Sequence, residues 1–263
     1  MNLLEKQMQT FKEYFIFLSK QDKYEFLEIA KGNIKTAFGE DTEGLKRLIA
    51  VQSFLHVSTE PHHWMIPALD WLQLQQGTIG CDSFADQLEE IDNSLNGGNL
   101  DPLKRNLSSI DNLGGMQYGA VSHYWFYRLD YELWKLYPHK YGEIATHGPW
   151  ANLPPDAKGL IANFRFRRCG SVEHIVPQKV PEGKAHPDPD HSFGNLALIS
   201  SSRNSKFSNN PPEGKKEIIR QSNYTESLKM LHFLWCDSSH GRTMHDILKE
   251  MAQPSRASER TGP

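Results

Sequence analysis

The sequence predicts a mainly α-helical protein with one small unit of β structure in its second half. Apolar residues recur at helical spacing through most of residues 1–160. Signals for strands occur only around residues 163–176 and 195–200, where short runs are apolar or alternate between apolar and polar residues. We therefore expect a helical N-terminal region, then a two-stranded hairpin followed by a helix, with further helices flanking this unit.

Residues 1–155 are interpreted as a helical domain. The predicted helices cover residues 3–31, 45–56, 64–76, 81–95 and 118–136. The last of these is rich in Tyr and Trp, which could stack with nucleobases, but their helical spacing favours a place in the core. The region has no cluster of histidines and carboxylates at ligand spacing. Its expected role is to dock a partner, a second copy or a regulatory domain.

The most informative stretch is residues 171–210, which contains the words SVEHIVPQ and FGNLALISSSRNSKFSNN. Glu173 and His174 end a first apolar run, and Asn195 opens a second one. Asn204 lies in a polar segment that can begin a helix. The predicted order is therefore strand, loop, strand and helix, with room for a metal between the first strand and the helix.

These residue types suit hydrolysis of a phosphodiester, which needs an activated water and a cation that absorbs charge on the phosphate. Histidine is the natural general base because its pKa lies near neutrality. A carboxylate and an amide oxygen are hard ligands that suit Mg²⁺ or Mn²⁺. Adjacent residues of a strand point to opposite sides, so Glu173 and His174 can serve the metal and the water only if the chain bends after them. Pro177 gives a reason for such a bend.

The words EHIVPQ, FGNLALIS and RNSK resemble the HNH (ββα-metal) endonucleases, and among these the C-terminal nuclease domain of GmrSD-like, modification-dependent restriction enzymes. The resemblance covers residues 110–250 well and the first 110 residues loosely. It implies that Glu173 binds the metal, His174 is the general base, Asn195 braces the loop and Asn204 is the second metal ligand. Asn in place of His at the last position is a common variant that favours oxygen-loving metals over zinc.

The resemblance also implies an HNH nuclease domain over residues 156–253, followed by a flexible tail at 254–263. Residues 161–263 hold 15 Lys and Arg against 11 Asp and Glu, although the whole chain has a net charge of −3. Lys206 is expected near the metal, where it would hold the scissile phosphate. Basic residues predicted to contact DNA phosphates are Arg165, Arg167, Arg168, Arg203, Lys215 and Lys216. The segment 163–168 (NFRFRR) is predicted to be a strand, and its arginines could instead protect a sheet edge.

The cysteines and the N-terminus restrict the class of protein. Cys81, Cys169 and Cys236 form no CxxC pair, so neither a structural zinc site nor a disulfide framework is predicted. Reduced thiols suit the cytoplasm. The apolar run at the N-terminus is too short for a signal peptide or a membrane span, so no membrane partner is expected.

Four further histidines could be metal ligands by residue type: His62, His63, His186 and His191. None has a carboxylate or cysteine partner at metal spacing. They are interpreted as surface or loop histidines.

Three functions remain open from the sequence. The first is a DNA endonuclease that uses Mg²⁺ or Mn²⁺ in defence against foreign (phage) DNA. The second is an RNA-cleaving toxin with the same site, since this chemistry does not forbid a 2′-OH. The third is a catalytically idle subunit that binds nucleic acid or a partner, which the intact set of Glu173, His174 and Asn204 disfavours.

The resemblance raises the question of regulation. GmrSD-like proteins carry a nucleotide-dependent domain ahead of the helical region, and this sequence has no Gly-rich phosphate loop. Either a nucleotide-hydrolysing protein partner or a homo-oligomer supplies the regulatory activity, or the chain is a standalone or fragmentary effector.

Overall fold

The computed structural model describes residues 3–19, 24–26, 38, 42–59, 63–96, 116–137, 150, 153–179 and 190–236. These residues are mostly helical and include two small antiparallel sheets, which confirms the mainly α class. The chain divides into two compact units, Met1–Gly98 with Arg165–Arg168, and Asn99–Phe164 with Cys169–Pro263. In the described ranges, every helix is too short or too polar to cross a membrane. The predicted domain boundary at residue 155 stays a prediction, and the predicted tail 254–263 lies outside the described residues.

The first unit is built from helices and one short hairpin. Its described elements are α1 (Leu3–Tyr14), β1 (Ile16–Leu18), β2 (Tyr24–Phe26), α2 (Thr42–Ser58), α3 (Met65–Leu74) and α4 (Cys81–Asn96). Strands β1 and β2 pair antiparallel, with Ile16 opposite Phe26. Large aromatic side chains within or directly next to these elements are fully buried and form the core, namely Phe15, Phe26, Phe54, Trp64 and Phe84.

The predicted helix over residues 3–31 is wrong after Tyr14, where β1 begins instead. Gln52 of α2 gives the physical reason. This buried side chain accepts a hydrogen bond from Ile16 N (3.1 Å) and donates one to Tyr14 O (2.9 Å). It therefore satisfies backbone groups at the point where the chain leaves the helix. Residues 20–23 and 27–31 of the predicted helix lie outside the described residues.

The second unit holds the second hairpin. Its described helices are α5 (His123–Lys135), α6 (Pro155–Ala162), α7 (Ser201–Phe207), α8 (Pro212–Ser222) and α9 (Leu228–Trp235). Strands β3 (Ser171–His174) and β4 (Leu196–Ile199) pair antiparallel, with His174 opposite Leu196. Helix α7 packs on β3, while α5 and α9 pack on β4. The described residues between 171 and 207 thus follow the order strand, strand, helix.

Serine caps fix where three of these helices begin. The side chain of Ser122 accepts from Tyr124 N, that of Ser200 from Arg203 N, and that of Ser227 from Met230 N. Helix α5 therefore starts at His123 rather than at residue 118, where the sequence placed it. Gly119 has a φ of 84°, so the chain turns just before the cap.

The predicted strand at residues 163–168 is not seen. Phe164 and Phe166 are buried while Arg165, Arg167 and Arg168 are exposed, so the alternation that suggested a strand is present. No strand of the described sheets includes this segment. Alternating burial requires only an extended chain with one face on a core, and it does not require a hydrogen-bonded neighbour.

Candidate functional site

Asn195 forms hydrogen bonds with the segment that follows β3 and with the segment that precedes β4. Strand β3 ends at His174, and the chain bends at Ile175 and Val176, as the sequence predicted. The side chain of Asn195 is buried; its Oδ1 accepts from Val176 N (2.7 Å), and its Nδ2 donates to Val176 O (3.0 Å) and Asp190 O (2.8 Å). The segment that follows His174 is thus held to the segment that precedes β4. This geometry supports the predicted bracing role.

A buried lysine holds the carboxylate at the end of β3. Lys215 of α8 is fully buried, and its Nζ lies 2.7 Å from Oε1 of Glu173. The same ammonium donates to the backbone oxygens of His174 and Ile175. Burial raises the pKa of Glu173 and lowers that of Lys215, and in both cases the partner's charge acts in the opposite direction. Lys215 therefore fixes both the carboxylate and the bend after it.

Glu173 and Asn204 approach from the same side of the hairpin. Asn204 lies on α7, which packs on β3, and its Nδ2 donates to Ser171 Oγ (2.7 Å). Ser171 and Glu173 are two residues apart on a strand, so their side chains share one face. Asn204 therefore lies against the face of β3 that carries Glu173.

These two side chains fit an oxygen-loving metal. Lys215 contacts only Oε1 of Glu173, and Asn204 donates through Nδ2. Oε2 of Glu173 and Oδ1 of Asn204 are thus left without a cation or side-chain partner among the described residues. One carboxylate and one amide oxygen are hard ligands for Mg²⁺ or Mn²⁺. The described ranges contain no group of three or more His, Cys, Asp and Glu that could hold a metal.

His174 is a buried imidazole with a lowered pKa. Only 6% of its surface is exposed, and the ring of Tyr118 lies 4.7 Å away. Burial, followed by the charges of His191 and Lys215, lowers the pKa of His174 to about 4. The ring is therefore unprotonated near pH 7 and has a lone pair that can accept a proton.

His191 contacts His174, a neighbour that the sequence interpretation did not foresee. Its Nδ1 lies 3.0 Å from Nε2 of His174, and the side-chain amide of Gln178 lies 3.0 Å from that same Nε2. His191 is exposed, as expected for a loop histidine. No residue pattern in the sequence marks His191 as a neighbour of His174.

A second buried lysine holds the other segment of the hairpin. Lys229 of α9 donates to the backbone oxygens of Phe193 (2.5 Å), Gly194 (3.0 Å) and Leu196. Burial lowers the pKa of Lys229 to about 7 and raises that of nearby Asp130 to about 7. Lys229 thus fixes the backbone on both sides of Asn195. No motif marks this lysine in the sequence.

The basic residues predicted to contact DNA lie in different environments. Lys206 is exposed on α7, two residues after Asn204, and the half-buried Lys216 has its Nζ 5.1 Å from the centre of the Trp235 ring. Lys215 is fully buried and Arg203 is 4% exposed. Arg203 donates to Ser222 Oγ (2.9 Å), and its guanidinium lies over the Tyr224 ring.

The prediction that Lys215 and Arg203 contact DNA is therefore wrong, because neither offers surface to a phosphate. From the sequence alone, a Lys or Arg in a helix is expected on the surface. Here both side chains are buried and have partners within the second unit. The exposed residues Arg165, Arg167 and Arg168 belong to the first unit. Their role in DNA binding stays a prediction, as does that of Lys216.

Comparison with known protein families gives a match over the second half of the chain. The family described as the C-terminal domain of GmrSD restriction endonucleases matches residues 101–244, more than half of the chain. This range includes both strands of the second hairpin and all the site residues discussed above. No curated protein and no solved structure matches the chain. The chain therefore belongs to the GmrSD restriction endonuclease family, through the C-terminal domain of these restriction-type nucleases.

Proposed function

We propose that this chain is a metal-dependent endonuclease of the HNH (ββα-metal) type, which hydrolyses phosphodiester bonds of DNA in defence against foreign DNA. One observation carries the proposal. The packing of α7 on β3 puts Asn204 against the face of the strand that carries Glu173, and the next residue of the strand, His174, is buried. Metal ligands next to a base are what hydrolysis of a phosphodiester requires.

In this mechanism the residues have separate roles. Glu173 and Asn204 would hold Mg²⁺ or Mn²⁺, which when bound supplies positive charge to the phosphate and to the leaving oxygen. His174 accepts a proton from the attacking water while the oxygen of that water bonds to phosphorus and the bond to the leaving oxygen breaks. Asn195 keeps the bend after His174 in place, and the exposed Lys206 is proposed to contact the scissile phosphate.

The neutral state of His174 matters for this role. A protonated imidazole has no lone pair, so it could not accept the proton. Burial and the positive charge of Lys215 both disfavour protonation of His174. The loss of a general base costs about 10²–10⁴ in rate, and loss of the metal is expected to cost more because charge stabilisation is lost with it.

A cleavage assay tests the reaction and the substrate class. Supercoiled plasmid and a structured RNA are incubated with the wild-type chain and Mg²⁺, Mn²⁺ or EDTA. We expect nicking of the plasmid that EDTA abolishes and His174→Ala reduces by at least about 10²-fold. His63→Ala changes an exposed histidine of the first unit and serves as the matched control. Cleavage of RNA but not of DNA would support the toxin instead, and metal-independent cleavage would contradict the proposal.

The first unit is proposed to carry regulation rather than catalysis. A nucleotide-hydrolysing partner protein or a second copy of the chain would dock on it. If so, substitutions of exposed apolar residues there, such as Ile66→Ser or Leu74→Ser, leave cleavage in vitro unchanged but weaken assembly. Light scattering of the purified chain, alone and with candidate partners, measures that assembly. Loss of cleavage in a folded variant of this unit would contradict the assignment.

A further inference from the structure

We propose that His191 is a positioning residue for His174, one that sets the ring orientation and the tautomer of the base. The inference rests on the proposed function, in which His174 accepts the proton from water. Its starting point is the 3.0 Å contact between Nδ1 of His191 and Nε2 of His174. The two rings meet nearly edge to face, with an interplanar angle of 78°.

The backbone around His191 is fastened on both sides. His191 O accepts from Tyr118 N (3.0 Å), and the next residue, Ser192, pairs with Gln117 in an antiparallel bridge. The preceding residue, Asp190, is held through its carbonyl by Asn195. An exposed side chain ordinarily samples several rotamers. The hydrogen bonds of the neighbouring backbone hold the Cα of His191 close to His174, so fewer rotamers have to be excluded for the rings to meet. The contact between the rings therefore costs less ordering entropy than one made from a free loop.

Aromatic packing restrains the pair further. The Tyr118 ring lies 4.7 Å from the ring of His174 and 6.2 Å from that of His191. It thus covers both imidazoles while remaining 49% exposed itself. The side-chain amide of Gln178 lies within 3.5 Å of nitrogen atoms in both rings. His174 is consequently held by neighbours whose polar atoms face its ring nitrogens.

The contact has a chemical consequence for the base. In a hydrogen bond between two imidazoles, one nitrogen donates and the other accepts. The contact with His191 engages only Nε2 of His174 and therefore favours one tautomer of the base. The amide nitrogen of Gln178 lies 3.0 Å from Nε2 and 3.2 Å from Nδ1 of His174, so it does not by itself select between the two ring nitrogens. Without His191, the preference for one tautomer of His174 would be lost.

A positioning role explains the contact between His191 and His174 better than a metal site or a purely structural role does. A metal held by the two histidines would need further ligands, and the described residues contain no group of three His, Cys, Asp and Glu that could form such a site. A purely structural role is disfavoured because His191 is exposed, so that its side chain contributes little buried surface.

Kinetics of His191 variants test the inference. His191→Ala should lower kcat by about 10–100-fold with little change in KM, because a displaced catalytic group costs up to about 10²-fold. His191→Asn places an amide nitrogen or oxygen near the position of Nδ1 and should recover most of this loss. In a His174→Ala background, His191→Ala should have no further effect, since it acts through that residue. His123→Ala, an exposed histidine of the same unit, is the matched control.

A second readout needs no catalysis. Nitrogen-15 NMR of the His174 ring distinguishes the two neutral tautomers. We expect one tautomer in the wild-type chain, a mixture in His191→Ala and one tautomer again in His191→Asn. An unchanged tautomer in His191→Ala would overturn the inference even if the wild type cleaves DNA. The expected tautomer change would support the positioning contact even if no cleavage were found, so the two proposals fail separately. Equal loss of kcat with and without His174 would also overturn the inference.

Discussion

Lys215→Met tests whether the buried ammonium holds Glu173. Methionine keeps an unbranched side chain but removes the charge and the donors. The carboxylate of Glu173, whose side chain is only 11% exposed, would then lose its cation. The backbone oxygens of His174 and Ile175 would lose a charged donor as well.

The expected cost follows from the burial of this ion pair. Removing one partner of a buried pair costs about 3–5 kcal/mol, because the remaining charge is left uncompensated. This is a large fraction of the about 5–15 kcal/mol that stabilises a typical protein. For a unit of this size, such a loss lowers the melting temperature by about 6–20 °C.

The assay is urea unfolding of the full chain, followed by circular dichroism in the presence of EDTA. Lys216→Met is the matched control, since it changes the next residue, which is only half-buried, and should cost less than about 1 kcal/mol. The double variant Glu173→Gln/Lys215→Met leaves no unpaired charge at this position and should recover at least about 1 kcal/mol relative to Lys215→Met. If Lys215→Met cost no more than Lys216→Met, or the double variant recovered nothing, the reasoning would be refuted.

Two further predictions concern the bend and the base. Asn195→Ala leaves Val176 N and two carbonyls without their partner, so it should cost about 1–3 kcal/mol and reduce cleavage less than His174→Ala does; thermal unfolding and plasmid nicking measure the two effects. Acidification of the metal-free chain should destabilise the wild type more than His174→Gln. Burial lowers the folded-state pKa of His174 to about 4, against an ordinary value of 6.5. The stabilisation by the neutral ring is therefore full above about pH 6.5 and is lost as pH falls towards about 4. Melting temperatures of both proteins at pH 7, 5.5 and 4.5 test this order, and parallel curves would contradict it.

The hairpin that carries the site was predictable because local signals agree there. SVEH and LALI are short runs with β-branched or aliphatic residues, and Pro177 follows the first of them closely. The β3–β4 register then places Glu173 and His174 at the strand end, as expected. The contact between Asn204 and Ser171 confirms only that α7 lies against β3, because the metal roles of the site residues are still untested.

The remaining features depend on partners that are distant in sequence. Lys215 lies 42 positions after Glu173, and only the fold shows that its ammonium is buried against that carboxylate. The segment Ile16–Leu18 is apolar enough for a helix or a strand, and the bonds from Gln52 decide between the two. No residue pattern predicts that His191 lies beside His174. Periodicity reports which residues share a face, but not which elements meet.

In the proposed mechanism, Glu173 and Asn204 bind the metal while His174 acts as the base. Calorimetric titration of Mn²⁺ into the wild type, His174→Ala, Glu173→Ala and Asn204→Ala tests it most directly, with plasmid nicking measured on the same samples. His174→Ala should keep wild-type metal affinity and lose cleavage, whereas the other two variants should lose metal affinity together with cleavage. If His174→Ala lost metal affinity as severely as Glu173→Ala, His174 would be a ligand and another group would have to be the base.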